Sequence, residues 1–401
     1  MDKNTVSIYR LLLTFFILSL GLFWRCEYDT PSAIYPIQGA AAPSISRIEP
    51  DSAVGGVLEI KIIGQNFAAQ VDQNILFIGN TEAAVKQATT TELTVVRPIK
   101  LSGPNMIKLA VRDALVIAEF GPYQLEPGLV ALPAVGQINS ITMDKDENLY
   151  AEGDRKILKI SPRGEVVEFG TIEFISSAMR IGAGGYLYIQ RKDNRDLYRI
   201  GPAGGAAERY ARIRKRAHFF DFDQNGYIYS GSLKYGLCVT SPDGTTSTEI
   251  PGYADAFQIN AVRVFNGYVY LSADTITNDP AKYFSGIYRL EIKGNGELGP
   301  RELVFDWARS GEFSRALIND MTFAEDGDLY VATDHLNPIL VIHPDGSVAP
   351  LFAGELETPA TQICWGNGNY LYLNKLGRED KDSAIYRIIM GKQGAPYYGR
   401  N

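Results

Sequence analysis

The chain has 401 residues, of which 45% are hydrophobic and 21% charged, and a formal net charge of −7. These values are typical of a globular protein, exclude a disordered chain and lack the basic excess of a nucleic-acid-binding protein. Two or three folding units are expected at this length, and the 39 glycines, 20 prolines and 23 tyrosines favour turns and aromatic-rich strands.

The N-terminal segment is predicted to be a targeting signal. Lys3 and Arg10 precede an apolar stretch from Leu11 to Trp24. This stretch has the length of a signal-peptide core and is shorter than the roughly 20 residues that a membrane-spanning helix needs. We therefore expect residues 1–25 to be a signal peptide and the protein to be exported.

Cys26 follows this apolar stretch almost at once, as the acylated cysteine of a lipoprotein does. We expect lipidation of Cys26, with residues 26–42 as a tether to the outer membrane or cell surface. Arg25 stands where lipoprotein signals usually have a small residue. A simple secretory signal or an uncleaved anchor therefore remains an alternative.

Residues 43–127 are predicted to form a small antiparallel sandwich. Short apolar runs alternate with turn residues, which is typical of such domains. The segment resembles the immunoglobulin-like TIG (IPT) domain in several elements: Glu49-Pro50, Ile62-Ile63-Gly64-Gln65-Asn66-Phe67, Phe77-Ile78-Gly79 and Pro122-Tyr123. The resemblance implies an immunoglobulin-like sandwich.

Residues 128–401 contain a repeat. A short β-run ending in tyrosine recurs at intervals of 38, 41, 41, 60 and 42 residues, and a second β-run follows each copy, often closed by Pro-x-Gly. These triplets predict tight turns, because proline fixes φ and glycine accepts a positive φ. The repeated tyrosines are Tyr150, Tyr188, Tyr229, Tyr270, Tyr330 and Tyr372.

Six copies of about 40 residues predict a six-bladed β-propeller, since one copy cannot bury its apolar face whereas a closed ring can. The copies resemble NHL repeats and, more loosely, propellers of the gluconolactonase group. The sixth copy is one strand short. We predict that residues 129–135 supply its outer strand, because an open ring would leave an unpaired edge. The predicted fold class is all-β, a TIG/IPT sandwich followed by a six-bladed propeller.

The repeat with the 60-residue interval carries two insertions, around residues 274–286 and 306–318, which the blade register places on one face. Insertions collect where loops bind ligands. They contain Tyr283 and Trp307, which are predicted to stack on sugar rings. The alternative is that these aromatic rings pack within their own loops.

A basic cluster is predicted on the same face of this acidic protein. Arg191 and Lys192 lie in a loop of the second blade, and Arg214, Lys215 and Arg216 lie in the loop that enters the third blade. Such a cluster could bind a carboxylated or sulfated ligand. A solvated loop is the alternative.

Three polar residues, Asn260, Asn319 and Asp320, are expected near the central channel. The resemblance to the gluconolactonase group implies a divalent metal held there by a Glu, Asn and Asp set, in which Asn260 and Asp320 match two members. Because no glutamate begins the first blade, we expect no cofactor. Oxygen ligands would suit Ca²⁺ or Mg²⁺, and capping of strand ends is the alternative.

We therefore expect a non-catalytic binding lipoprotein that presents a propeller face to a ligand, with a polysaccharide as the expected ligand. A TIG-like domain followed by an NHL-like propeller resembles surface lipoproteins of Bacteroidota, which are often associated with glycan capture. The sequence contains no nucleophile elbow, phosphate-binding loop or zinc motif. The alternatives are a metal-dependent lactonase or polysaccharide lyase, and a scaffold that docks another envelope protein.

Overall fold

A computed structural model describes residues 39–53 and 57–399. The predicted signal peptide, Cys26 and most of the tether lie outside the described residues. Within the described part of the chain, no helix has the length and apolar character needed to cross a membrane. Helical structure there consists of 3-10 turns at Val71–Gln73, Ala183–Gly185, Pro280–Lys282, Trp307–Arg309, Gly311–Arg315 and Asp380–Asp382.

The N-terminal domain is an antiparallel sandwich. Its sheet has the order β1-β3-β6-β5-β4-β7-β8, and β5 pairs with β4 through its first residues and with β6 through the rest, so the sheet bends at β5. Alternate residues of β3, β4 and β7 are buried, as expected when one face of each strand meets the core. The strands are β1 (Ser44–Glu49), β2 (Ser52–Ala53), β3 (Glu59–Gln65), β4 (Asn74–Ile78), β5 (Thr81–Ala88), β6 (Glu92–Val96), β7 (Ile107–Val111), β8 (Ala118–Phe120) and β9 (Gln124–Leu125).

The rest of the described chain forms a ring of six antiparallel blades, so the predicted all-β propeller is confirmed. Blade 1 has β11 (Ser140–Met143), β12 (Leu149–Gly153), β13 (Lys156–Ile160) and β14 (Val166–Thr171), and blade 2 has β15 (Ser176–Ile181), β16 (Leu187–Arg191), β17 (Asp196–Ile200) and β19 (Glu208–Arg212). The short β18 (Gly205–Ala206) adds to blade 1 in parallel with β14. Blade 3 has β20 (Phe219–Phe222), β21 (Ile228–Ser232), β22 (Gly236–Thr240) and β23 (Ser247–Ile250).

The second half of the ring contains the longest blade. Blade 4 has β24 (Phe257–Phe265), β25 (Tyr268–Thr275), β26 (Ser285–Gly294) and β27 (Glu297–Asp306). Blade 5 has β28 (Ile318–Phe323), β29 (Leu329–Thr333), β30 (Ile339–Ile342) and β31 (Val348–Pro350). Blade 6 has β32 (Gln362–Trp365), β33 (Tyr370–Lys375) and β34 (Ala384–Ile389), and its fourth strand comes from β10 (Leu129–Ala131).

The strand β10 closes the ring, as the sequence predicted, although it is shorter than residues 129–135. Leu129 pairs with Ile388 and Ala131 with Tyr386. The N–H of Leu132 continues the ladder by donating to the carbonyl of Ile385 at 2.8 Å. The first and last parts of the propeller are therefore joined by main-chain hydrogen bonds, and blade 6 has no missing strand.

The repeated tyrosines are conspicuous in the sequence because each inner hairpin buries one. Tyr150 and Tyr229 are both buried, and their hydroxyls donate to Asp144 and Asp223 at 3.1 Å. Each aspartate lies in the turn that precedes the tyrosine and also accepts main-chain N–H groups of that turn. A tyrosine can fill the core with its ring and still satisfy its hydroxyl at the edge of the sheet.

The sandwich contacts the propeller beside blade 6. Ile99 is 5% exposed and packs in the apolar cluster of blades 5 and 6, and its carbonyl accepts the N–H of Leu129 at 3.0 Å. The hydroxyl of Tyr370 donates to Glu126 at 3.2 Å. The segment that links the two domains is thus held by both of them.

Candidate functional site

The strand order gives the propeller two distinct faces. The loop face carries the connections between the second and third strands of each blade and the connections from one blade to the next. The tail face carries the other hairpin turns and the C-terminal tail, residues 391–399. All predicted ligand-binding loops belong to the loop face, as the blade register indicated.

The C-terminal tail crosses the end of the channel on the tail face. Ala395 donates its N–H to the carbonyl of Phe323 in blade 5 at 2.9 Å, and the Tyr397 hydroxyl donates to the carbonyl of Met143 in blade 1. The Tyr398 ring packs on Phe222 in blade 3, with 5.2 Å between ring centroids. Between the tail and the inner strands of all six blades remains a cavity of about 40 Å³, which has room for little more than a water molecule.

The channel interior contains two arginines and two aspartates. The Nη2 atom of Arg263 lies 2.8 Å and 3.0 Å from the two carboxylate oxygens of Asp320. The Nε atom of Arg180 lies 3.9 Å from Oδ1 of Asp221. Each aspartate also accepts a main-chain N–H group from the next inner strand. Asp320 accepts that of Ile363, and Asp221 accepts that of Val264. Those N–H groups line the channel, where no further strand can pair with them, so the carboxylates satisfy buried donors.

The structure corrects the prediction that Asp320 is a ligand or metal contact. Asp320 is 4% exposed, and its oxygens are occupied by Arg263 and by backbone N–H groups. The amide of Asn260, the other metal candidate, donates to Asp274 at 2.8 Å. Among the described residues, no group of three or more His, Cys, Asp and Glu side chains could hold a metal ion. These residues do not fit the Glu, Asn and Asp set of the gluconolactonase group.

Two predicted residues, Asn260 and Asn319, do come together on the loop face. Each occupies a β-bulge near the start of an inner strand, and bulges often re-aim side chains beside binding sites. With Gln258, Leu233 and Leu317 they line a cleft of about 200 Å³. The Asn319 side chain donates to the carbonyl of Ala360 at 2.8 Å, which fixes its orientation. We call this the amide cleft.

Exposed apolar side chains also gather on the loop face. Leu317 and Leu336 are 58% and 79% exposed. Elsewhere on the propeller, the exposed large apolar residues of the described chain lie on the outermost strands β14 and β27. The loop-face group consists of Ile175, Leu233, Tyr235, Ile276, Tyr283, Leu317 and Leu336. Leu233 and Leu317 of this group line the amide cleft together, and exposed apolar groups rimmed by polar ones mark binding surfaces.

The two predicted stacking aromatics differ in their exposure. Tyr283 is 56% exposed in the loop between β25 and β26, so its ring can be reached from the loop face. The prediction of an exposed Trp307 is wrong. Its side chain is 1% exposed and its indole N–H donates to the carbonyl of Ala316 at 3.1 Å, because a 3-10 turn folds the ring under its own loop.

The basic loops lie side by side on the loop face, but several of their charges are already paired. Arg191 forms an ion pair with Asp193 at 2.5 Å, and Lys215 lies 3.2 Å from Glu249. The Arg216 guanidinium donates to the carbonyl of Lys192. Lys192 and Arg214 are exposed. The cluster therefore presents less free positive charge than its sequence indicated.

Two titratable groups near the loop face were not singled out by the sequence. Glu152 is fully buried and accepts hydrogen bonds from the Ser176 hydroxyl at 2.7 Å and from the Ser176 N–H at 3.3 Å. Burial raises the pKa of Glu152, and the hydrogen bonds from Ser176 oppose that shift. Burial, with help from the nearby Arg216, lowers the pKa of His218 to about 4. A glutamate at the end of the second strand carries no sequence signal, because only the folded blade brings it beside Ser176.

The IPT/TIG domain family matches residues 43–126. Together with the six blades, this match defines an all-β protein in which an IPT/TIG domain precedes a six-bladed propeller. No curated protein sequence matches the chain.

Solved structures with a similar fold include an auxiliary nutrient binding protein from Bacteroides ovatus, at 14% identity over 88% of this chain and 99% of that chain, with a TM-score of 0.49. A second protein of that description, from Bacteroides thetaiotaomicron, has 14% identity over 88% of this chain and 98% of that chain, with a TM-score of 0.48. A putative gluconolactonase has 13% identity over 67% of this chain and 94% of that chain, with a TM-score of 0.51. That last likeness concerns the fold, and no activity is inferred from it.

Proposed function

We propose that this protein is an exported, non-catalytic binding protein that holds a polysaccharide on its loop face. The observation that carries the proposal is the convergence of exposed apolar side chains and the amide cleft on that face. The other end of the channel is crossed by the C-terminal tail and keeps a cavity of about 40 Å³. A long polymer can lie across an open face without entering the channel.

The chemistry of the amide cleft suits sugars. Side-chain amides both donate and accept hydrogen bonds, as sugar hydroxyls do. Leu233 and Leu317 offer apolar contacts to the C–H faces of a sugar ring, and the exposed Tyr283 offers a ring on which a sugar can stack. Exposed Lys192 and Arg214 would add attraction for carboxylated sugars that weakens as salt rises.

A lipid anchor at Cys26 is part of the proposal. It rests on the cysteine directly behind the apolar stretch of the sequence. The change Cys26→Ala should move the protein from the detergent phase to the aqueous phase, or leave an unprocessed precursor. Unchanged partitioning of the variant would show that the protein is held at the membrane in another way.

The binding proposal is tested with an array of immobilised polysaccharides that includes neutral polymers and polygalacturonate. Tyr283→Ala and Leu317→Ser should each weaken binding about fivefold or more. Each removes an exposed apolar side chain that the bound polymer would cover, and such a contact contributes roughly 1 kcal/mol. Val167→Ser is the matched control, since Val167 is 56% exposed on β14, away from the loop face. It should leave binding unchanged.

Charge is tested separately on polygalacturonate. Replacing Lys192 and Arg214 with alanine should flatten the salt dependence of binding, whereas Arg209→Ala on the outer strand β19 should not. Absence of binding to every polymer would contradict the proposal. Release of shortened or unsaturated products would contradict its non-catalytic part.

A further inference from the structure

A large cavity lies on the tail face, away from the amide cleft. It has a volume of about 910 Å³ and is bounded by turns of blades 2, 3 and 4 and by the C-terminal tail. Small-molecule sites typically measure about 300–1,000 Å³ and combine aromatic rings with a few polar groups. The size alone therefore admits a ligand much larger than water.

The extra length of blade 4 builds one wall of this cavity. The hairpin of β26 and β27 continues to Gly294 and Glu297, whereas the corresponding strands of blade 3 end at Thr240 and begin again at Ser247. The tip of the hairpin leans onto blade 3. A Cβ placed on Gly296 would lie 2.8 Å from the Val239 side chain. The wall is therefore packed against its neighbour and preformed.

Aromatic rings fixed from behind line the cavity. Phe265 stacks on Phe323 with 4.4 Å between centroids and an interplanar angle of 8°. Tyr398 packs on Phe222 and is half-buried. Both rings belong to the lining of the cavity. Rings held in this way bind flat apolar faces with little loss of conformational freedom.

The polar groups of the lining are mainly amides. Gln224, Asn225 and Asn266 are exposed at the turns of blades 3 and 4. The carboxylate of Asp223 is occupied, because it accepts main-chain N–H groups of its turn and the Tyr229 hydroxyl. Lys293 is exposed on the blade 4 hairpin. The lining therefore offers neutral donors and acceptors rather than a charged pair.

We propose that this cavity is a second binding site, completed by the C-terminal tail, for a short neutral oligosaccharide. Aromatic rings contact the C–H faces of sugar rings, and amides match the hydroxyls as both donors and acceptors. The site goes beyond the loop-face function, because it uses another face and a ligand without carboxylates. It also gives the tail a role in binding in addition to its contacts with the blades.

The test uses calorimetry on the mature chain with a panel of neutral hexasaccharides: cellohexaose, xylohexaose, mannohexaose and maltohexaose. At least one should bind, with an affinity that changes less than about twofold between low and high salt, because no ion pair is involved. Tyr398→Ala should weaken that binding about tenfold or more. Gln224→Ala with Asn225→Ala should weaken it about fivefold or more, since hydrogen bonds are lost without disturbing the tail.

Two controls separate this site from the loop face. Tyr283→Ala should leave hexasaccharide binding unchanged, and Arg209→Ala on the outer strand β19, which does not line the cavity, should leave it within about twofold. Equal melting temperatures of the Gln224 and Asn225 variant and the parent protein should show that its fold is intact. The proposal is overturned if no hexasaccharide binds, or if Tyr283→Ala abolishes binding while the tail-face variants keep it. Loop-face binding is measured separately with polygalacturonate and Leu317→Ser, so its failure would leave hexasaccharide binding to the tail face standing.

Discussion

Closure of the ring can be tested by one proline placed in β10. The N–H of Leu132 donates to Ile385, and that of Leu129 points the other way, to Ile99. Since N–H directions alternate along a strand, the N–H of Val130 points at its partner Arg387 in β34, whereas that of Ala131 points outward. Val130→Pro therefore removes a ladder donor, and Ala131→Pro is the matched control that does not.

The expected cost follows from the bonds that would be lost. Leaving a carbonyl of β34 without its donor costs about 1–3 kcal/mol, and detachment of the short β10 would also break the neighbouring hydrogen bonds. Val130→Pro should therefore lower the free energy of unfolding by about 2–4 kcal/mol. For a domain of this size that lowers the melting temperature by about 4–8 °C. Ala131→Pro should change it by less than about 3 °C. Calorimetry of the full mature chain gives both values.

Hydrogen exchange locates the change. The amides of Ile385 and Arg387, which face β10, should lose protection in Val130→Pro and keep it in Ala131→Pro, because β10 covers that edge of blade 6. Removing the whole sandwich would be a poorer test, since it would also remove Ile99 from the apolar cluster of blades 5 and 6. Similar melting temperatures for the two proline variants, with β34 protected in both, would refute closure through β10.

Other parts of the ring give further expectations. The pKa of His218 is about 4 in the folded protein and higher in the unfolded chain, so below pH 6.5 the unfolded chain binds the proton more tightly. Between pH 4 and pH 6.5 the free energy of unfolding should therefore rise by up to about 3 kcal/mol more in the parent protein than in His218→Gln. Parallel pH profiles of the two proteins in denaturant titrations would contradict this. Trp307→Ala should cost about 3–5 kcal/mol of unfolding free energy, against less than about 0.5 for Tyr283→Ala. Arg263→Met should cost about 3–5 kcal/mol by leaving Asp320 without its ion-pair partner, and adding Asp320→Asn should recover part of that loss. A double variant no more stable than Arg263→Met would argue against a direct pairing energy.

The architecture was predictable because local chemistry repeats in every blade. In the predicted Pro-x-Gly turns, Gly164, Gly204, Gly244 and Gly346 have φ values of 73–84°, which glycine adopts without strain. The buried tyrosines recur because each inner hairpin places a ring in the core, and in blades 1 and 3 the hydroxyl donates to an aspartate of the preceding turn. Short-range rules of this kind leave a pattern that a single sequence reveals.

The binding surfaces were less predictable because they depend on partners distant in sequence. Lys215 lies close to Arg214 in the chain, yet Glu249, which pairs with it, is on the adjacent outer strand. Trp307 lies in an insertion whose sequence predicted an exposed aromatic ring, and the 3-10 turn that buries this ring leaves no signal in the sequence. The tail-face cavity requires Tyr398 to reach blade 3, and nothing in the tail's sequence fixes that contact. Such features emerge only when the ring has closed.

The direction of the closing strand also bears on how the two faces can be used. The third strand of a blade runs from the loop face to the tail face, so β10, which is antiparallel to β34, enters from the tail face and ends on the loop face. The sandwich precedes β10 and therefore joins the ring from the tail side, where Glu126 contacts Tyr370 at the beginning of β33. The sandwich also reaches the connection between blades 5 and 6 on the loop face, where Lys100 lies 3.2 Å from Glu355. Blades 2, 3 and 4, which hold the tail-face cavity, lie across the ring from blade 6, so the sandwich does not cover that cavity in the described structure. Neither the amide cleft nor the tail-face cavity has a sandwich residue in its lining, so the polymer proposed for the loop face and the oligosaccharide proposed for the tail face would not compete for the same space.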